Sequence, residues 1–334
     1  MNEPVRTISV VIPTFNRRDS LRRALLAIAA QSFPKHAYEV VVAVDGSVDG
    51  TTEMLCHLKM PYRLRVTEQE HCGTAAARNL AASIAEGDLL LSLDDDIIAH
   101  PDLISTHVAW HAQHPEAVVL GQMPLHPEAR LSAFARYKHR RFEGHFRKMG
   151  QPSYTPDFRD CLTGNLSIRR QYLQLAGGFD QDFRDYNHED TELGYRLQSL
   201  GMKLHYVPQA IGYHLYSKTF IEGCYDSYGD GRSSVMLMRK HPQVERFLPA
   251  GRGSIKPRLA PLARVLTSGP LPDIHRLICA LDRGRRVVGF FHVGVLLHLY
   301  FSLSAEVCYW QGVRDERRGG YPALMAQGSR NGAG

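Results

Sequence analysis

From Thr7 to Leu93 short apolar runs alternate with segments of helical spacing. Ile8 to Ile12 reads Ile-Ser-Val-Val-Ile, rich in β-branched residues and stopped by Pro13, which predicts a strand. Leu21, Leu25 and Ile28 then recur at helical spacing, with Asp19 or Ser20 as a candidate N-cap. The same pattern predicts strands over 38–44, 62–67 and 88–93, with helices over 51–58 and 73–85 between them. Helices follow over 102–114, 130–149 and 189–200, and strands over 117–123, 162–168, 203–207 and 210–214. Residues 151–160 hold two prolines and few aliphatics and read as a loop, and Gly177-Gly178 as a turn. From Thr219 the pattern is helical, broken by a Pro/Gly-rich stretch over 249–272. Residues 319–334 are expected to form a disordered tail.

Alternation of strands and helices implies an α/β fold, a mostly parallel sheet flanked by helices. Ligands of such sheets bind outside the carboxyl ends of the strands. Asp45 and the run Asp94-Asp95-Asp96 both fall at such ends.

One stretch resists a plain soluble reading. Residues 287–305 carry no formal charge over 19 positions and follow Arg283, Arg285 and Arg286. The length suits a membrane helix, but His292, His298, Ser302, Ser304 and two glycines interrupt it. A buried helix is the first choice, with an interfacial helix and a span left open. Composition excludes bulk disorder and collagen: 44% of the 334 residues are hydrophobic and 22% charged. The net charge of +6 is too mild to suggest nucleic acid, and no aromatic interleaving suits a single-strand binder. The charge is uneven, however. Residues 1–216 carry 23 basic and 25 acidic groups, net −2, whereas residues 217–334 carry 17 and 9, net +8. That excess beside the uncharged stretch raises peripheral membrane contact as an option. Six cysteines without any Cys-x-x-Cys spacing predict reduced, buried thiols rather than a disulfide or zinc framework. The polar start of the chain predicts no secretory leader, so a cytoplasmic location is expected, with peripheral contact at the inner face of the membrane as the option.

Three aspartates directly after an apolar strand repel one another unless a cation joins them. Mg²⁺ and Mn²⁺ prefer such oxygen ligands, against which stands a solvated acidic turn. Asp45, within Asp45-Gly46-Ser47-Val48-Asp49-Gly50-Thr51, can accept from a base N–H or a ribose hydroxyl, or serve turn chemistry; both remain open. Asp49 and Gly50 suffice as caps. Glu189-Asp190 opens a helix, where carboxylates favour the dipole, and one of them can act as a general base. His214 gains weight only as a third metal ligand. His107, His111 and His114 recur at helical spacing without the Glu of a zinc-protease motif, and a solvated helix face is expected. There is no Gly-x-Gly-x-x-Gly after the first strand and no phosphate-binding Gly-Lys loop.

Residues 7–214 resemble the GT-A family 2 glycosyltransferases. Val11-Ile12-Pro13-Thr14-Phe15-Asn16-Arg17, the Asp45 to Thr51 run, Gly73 with Ala77-Arg78-Asn79, Leu93-Asp94-Asp95-Asp96, Thr163-Gly164-Asn165, Gly178-Phe179-Asp180 and Glu189-Asp190 with Arg196 occur in the family's order. The resemblance implies a nucleotide-diphosphate sugar donor, a UDP-sugar foremost, and Mn²⁺ or Mg²⁺. It implies Pro13, Thr14 and Asn16 at the nucleotide, Asp45 at base or ribose, and Arg78 near the diphosphate. Asp94 and Asp96 match the Asp-x-Asp metal motif, Asp95 its variable position near ribose or metal, and Asp190 the catalytic base beside Glu189. Residues 162–214 also resemble galactosyl- and N-acetylgalactosaminyltransferases, which implies His214 as a metal ligand and a Gly where this chain has His188. Family 2 implies inversion, while some relatives of the later region retain configuration. The expected organisation is a GT-A catalytic domain over 1–216, with a nucleotide-sugar half over 1–123 and an acceptor half over 124–216, then a helical region over 217–318 and the tail. The acceptor class stays open among a glycan, a lipid-linked glycan and a small molecule. The rivals are a sugar-nucleotide-binding scaffold without catalysis and a nucleotidyltransferase on a related sheet.

Overall fold

In the computed structural model, residues 7–129, 131–184, 188–251, 273–290 and 294–319 are described. Three apolar runs form the floor of the first unit: β1 (Ile8–Thr14), β2 (Tyr38–Asp45) and β4 (Leu89–Leu93) are buried along their whole length. Strands buried on both faces need such near-continuous apolar sequence, because helices cover each side. β3 (Arg63–Gln69), at the sheet edge, alternates between exposed and half-buried positions instead. With β5 (Ile97–Ala99), β6 (Ala117–Gln122), β7 (Asn165–Arg169) and β8 (Lys203–His214), they form an eight-stranded sheet in the order β3-β2-β1-β4-β7-β6-β8-β5. β1 pairs in parallel with β2 and β4, β2 with β3, and β6 with β8, while β7 runs antiparallel to β4 and β6. The expected α/β architecture, a mostly parallel sheet flanked by helices, therefore holds.

Helices α1 (Arg18–Ala29), α2 (Thr51–His57), α3 (Thr74–Ile84) and α4 (Leu103–Gln113) belong to this unit, as do α6 (Arg170–Leu175) and α7 (Glu189–Ser199). α5 (Ala133–Met149) begins three residues later than its pattern predicted. Three local expectations are corrected. The two strands over 203–207 and 210–214 are one strand, β8, with a register shift opposite Gly121 and Gln122 that absorbs Pro208. The short β5 and α6 escaped the pattern because three and six residues are too few to show a period. His107 and His111 do not lie on a solvated face: both are fully buried. His107 spans Ser167 Oγ (2.7 Å) and Asn165 Oδ1 (3.0 Å), and His111 Nε2 meets the same Ser167 hydroxyl at 2.9 Å. Burial holds both rings neutral, down to about 4 for His107 and about 3 for His111.

The second unit gathers residues from Ser217 onward with Leu131–Lys138 and His188. α8 (Phe220–Lys240) opens with a capping box in which Thr219 and Glu222 bond each other's backbone N–H. It crosses α10 (Gly294–Arg317) closely: a Cβ on Gly231 would meet Tyr309 O at 2.0 Å, and one on Gly312 would meet Tyr228 O at 2.0 Å. α9 (Ile274–Phe290) packs against α10. The uncharged stretch 287–305 is accordingly divided between α9 and α10 rather than forming one buried helix. Among the described residues no helix is long and apolar enough to cross a membrane. All six cysteines are free, but only Cys161, Cys224 and Cys308 are buried, so the expectation of buried thiols holds for half of them. The predicted tail lies outside the described residues, Gly319 excepted, as does most of the Pro/Gly-rich stretch.

Candidate active site

The sheet order places β1 between β2 and β4, so chain progression reverses across β1 and β4. Crevices open at the carboxyl ends of such strands. Thr14 ends β1, and Asp94-Asp95-Asp96 follow β4 directly. Thr14 Oγ1 donates to Asp95 Oδ2 at 2.8 Å and Ser20 Oγ to the Asp95 carbonyl at 3.0 Å. Arg17 Nη1 reaches Asp95 Oδ1 at 3.3 Å and Asp96 Oδ2 at 2.7 Å. Asp95 is thus a buried anchor of the run. Burial pushes its carboxyl up to about 7 against the pull of Arg17.

Asp96 lies beside His214, with Nε2 to Oδ2 at 3.3 Å. The pairing follows from the sheet, since Ile97 of β5 registers with His214 at the end of β8. Burial raises the Asp96 carboxyl, but His214 and Arg17 outweigh it and leave it well below the usual carboxylate range. Asp94 is the more open of the three, its side chain 40% exposed. Its Oδ1 accepts from Arg78 Nη2 at 2.7 Å, and its backbone N–H bonds Gly164 O at 3.2 Å. A Cβ on Gly164 would lie 2.6 Å from Asp94 Oδ2, so glycine there keeps that oxygen's surroundings clear.

Arg78, on α3, is buried and links Asp94 to Glu189. Its Nη1 donates to Glu189 Oε1 at 2.9 Å, and the guanidinium lies 5.5 Å from the centre of the Phe179 ring. Asn79 fixes that ring's residue: Nδ2 donates to Phe179 O and Oδ1 accepts from Phe179 N, each at 2.8 Å. The Ala-Arg-Asn and Gly-Phe-Asp motifs are therefore two sides of one contact. Asp190 follows Glu189 at the start of α7. Its Oδ1 accepts from Thr191 N at 2.7 Å, and its Oδ2 carries no hydrogen bond among the described residues. Burial and the neighbouring Glu189 charge push Asp190 up to about 7, with Arg78 pulling the other way. His188 takes φ +84°, a left-handed conformation that glycine adopts more readily than histidine.

The third cluster sits at the ends of β2 and β3. Asp45 is 3% exposed and spends both oxygens inside the protein. Oδ1 accepts from Gln69 Nε2 (2.7 Å) and Cys72 N (2.8 Å), and Oδ2 pairs with His71 Nδ1 (2.8 Å) and Gly73 N (2.9 Å). His71 stacks on Phe15 with centroids 3.9 Å apart. Asn16, at φ +51°, joins two loops by bonds to Ser47 Oγ and Val48 N. Pro13 is buried within β1. The structure thus brings Asp94, Asp95, Asp96, Arg78, Glu189, Asp190 and His214 to one end of the sheet. It commits Thr14 Oγ1, Asn16 Oδ1 and both carboxylate oxygens of Asp45 to internal bonds. Among the described residues no three His, Cys, Asp or Glu side chains gather as a ready metal site; Arg78 engages Asp94 and Arg17 engages Asp96. Arg17, Gln69 and His71 were not singled out as site residues. Arg17 carried a signal, three residues past the end of β1, but Gln69 is placed only by its register with Asp45.

The sequence pattern described as "Glycosyl transferase family 2" matches residues 9–175. The chain belongs to glycosyl transferase family 2. The pattern described as "N-terminal domain of galactosyltransferase" matches residues 144–218. The chain is 32% identical over 270 residues to the validoxylamine A glucosyltransferase of Streptomyces hygroscopicus subsp. jinggangensis, covering 72% of this chain and 62% of that protein. It thus spans about three fifths of the curated relatives it first matches. The family 2 fold recurs in the mannosyltransferase PcManGT from Pyrobaculum calidifontis, solved with GDP-Man and Mn²⁺ (TM-score 0.59, 20% identity, 92% of this chain and 88% of that one). It recurs also in S. aureus TarS with UDP-GlcNAc (TM-score 0.55, 18% identity, 95% and 93%).

Proposed function

We propose that this family 2 chain transfers a hexose from a nucleotide-diphosphate sugar, a UDP-sugar foremost, to an acceptor hydroxyl with inversion. The observation that carries this is the meeting of the Asp94-Asp95-Asp96 run, Arg78, His214 and Asp190 at the carboxyl end of the sheet. The donor atoms suit a divalent cation. Asp96 Oδ2 and His214 Nε2 already face each other at 3.3 Å, and Gly164 leaves beside Asp94 Oδ2 a space that a Cβ would fill. Asp94, Asp96 and His214 would hold Mn²⁺ or Mg²⁺. Such a cation supplies Lewis-acid stabilisation of the diphosphate leaving group.

The chain's own residues divide the remaining work. Arg78, always charged, lies where it balances Asp94 and Glu189 and would face a diphosphate. Asp190 takes the acceptor hydroxyl proton on its unbonded Oδ2. The acceptor oxygen then bonds the anomeric carbon as the bond from that carbon to the phosphate oxygen breaks, releasing the nucleoside diphosphate. A pKa of about 7 suits this role, since a base poised near the working pH is both available and strong. Asp45 acts by holding Gln69, His71, Cys72 and Gly73, which frame the nucleotide side. We assign residues 1–216 as the catalytic domain and 217–318 as a helical region. The acceptor is a glycan, a lipid-linked glycan or a small molecule. Turnover of a panel of UDP-, GDP- and dTDP-sugars with and without Mn²⁺ tests the proposal: one donor class consumed only with metal is expected, and metal-independent turnover overturns it.

A further inference from the structure

Among the described residues, the paired helices α9 and α10 leave an apolar end uncovered. Tyr300 OH donates to Leu281 O at 2.7 Å and lies against Gly284, where a Cβ would meet it at 2.3 Å. That contact fixes where the two helices pack. On the other side of it, Val287 (62%), Val295 (71%), Leu296 (49%) and Leu299 (51%) are exposed. Past Tyr300 the character of α10 reverses: Phe301, Ser304 and Val307 are buried. Val295, Leu296 and Leu299 stand at spacings of one, three and four and so share a helix face. On α9 the exposed positions Arg276, Cys279, Ala280, Arg283, Arg286 and Val287 follow helical spacing in one stripe that ends at the apolar patch.

We propose that this end of α9 and α10 docks on an anionic lipid surface, its aliphatic side chains entering the headgroup boundary and its arginines meeting lipid phosphates. Charge selects the occupant. Residues 273–300 contain four arginines and two acids, Asp273, which pairs with Arg276 at the far end of α9, and Asp282. The Asp282 carboxylate is buried and bonded to both Arg285 and Arg286, so the surface it leaves is cationic. A second copy meeting this patch across a two-fold axis would set arginine against arginine. An interface of apolar chains bordered by phosphates complements both features. Neither helix is apolar enough to span, so the contact is peripheral. The inference rests on this surface alone and stands apart from the transfer chemistry.

The test is flotation of the full chain with vesicles of phosphatidylcholine, or of phosphatidylcholine mixed with phosphatidylglycerol. Flotation with the mixed vesicles only is expected. Arg283→Gln with Arg286→Gln should weaken it roughly thirtyfold, each exposed arginine at an anionic surface being worth about fivefold. Val295→Asp with Leu296→Asp should abolish it, and Leu299→Gln should weaken it, with thermal unfolding unchanged because these side chains are exposed. Three outcomes overturn the proposal: no flotation with either vesicle, equal flotation with both, or apolar variants that float normally but dissociate a dimer in sedimentation.

Discussion

Arg78→Met isolates the charge that holds the two acidic clusters together. Methionine keeps most of the stem volume and removes the guanidinium, which is 4% exposed and bonded to Asp94 at 2.7 Å and Glu189 at 2.9 Å. Breaking a buried pair by removing one partner costs about 3–5 kcal/mol. The Glu189 side chain is 14% exposed and gains little from water, but Asp94 at 40% is partly solvated. Discounting for that solvation leaves about 2–3 kcal/mol. Urea unfolding at neutral pH should show the loss, and the deficit should shrink below about pH 5 as carboxylates take up protons. Arg78 also pulls the Asp190 pKa down, so the acid limb of kcat/KM should move to higher pH. Arg78→Lys should recover part of the stability, since a point charge replaces a fork that reaches two partners. An Arg78→Met protein within about 0.5 kcal/mol of wild type, with an unmoved pH profile, would refute the reasoning.

Transfer by the unaltered chain should rise with pH around a midpoint near 7 in kcat/KM, because Asp190 is protonated and idle below that value. The same raised pKa makes its ionisation oppose folding as pH climbs from about 4 to 7, a cost absent in Asp190→Asn by urea titration. His107 and His111 act with the other sign. Their folded values of about 4 and 3 lie below the unfolded 6.5, so stability is full above pH 6.5 and falls as pH drops toward 4. Roughly 3 kcal/mol rides on His107 alone, and urea midpoints at pH 7 and 4.5 should show a loss that His107→Leu reduces, His111 supplying the remainder. Gly164→Ala should weaken Mn²⁺ binding about tenfold by calorimetry, since its Cβ meets Asp94 Oδ2 at 2.6 Å; an unchanged affinity would remove Asp94 from the metal set.

Much of the fold was legible because β1, β2 and β4 are buried on both faces and so read as unbroken apolar runs. The Asp94-Asp95-Asp96 run stood out as a candidate for a related reason, since charge stacked at the end of such a strand needs partners, and Thr14, Arg17 and His214 supply some of them. What escaped was set by register and burial. Asp45 reads as a ligand contact or a turn residue until Gln69 and His71 are brought beside it by the pairing of β2 with β3. His107 and His111 have the spacing of a polar face, yet they point at Ser167 and Asn165, partners far away in sequence. The 287–305 stretch carried no charge to mark a boundary, and its division between two helices depends on how α9 and α10 pack.

The central claim is that Asp190 takes the acceptor proton. The direct measurement is the transfer rate of Asp190→Asn with donor, acceptor and Mn²⁺, alongside the donor dissociation constant from calorimetry. A general base contributes about 10²- to 10⁴-fold, so transfer should fall by that much while donor affinity stays within about threefold. Asparagine keeps the shape and removes the basic oxygen, which separates chemistry from binding. Transfer at close to the wild-type rate would contradict the account.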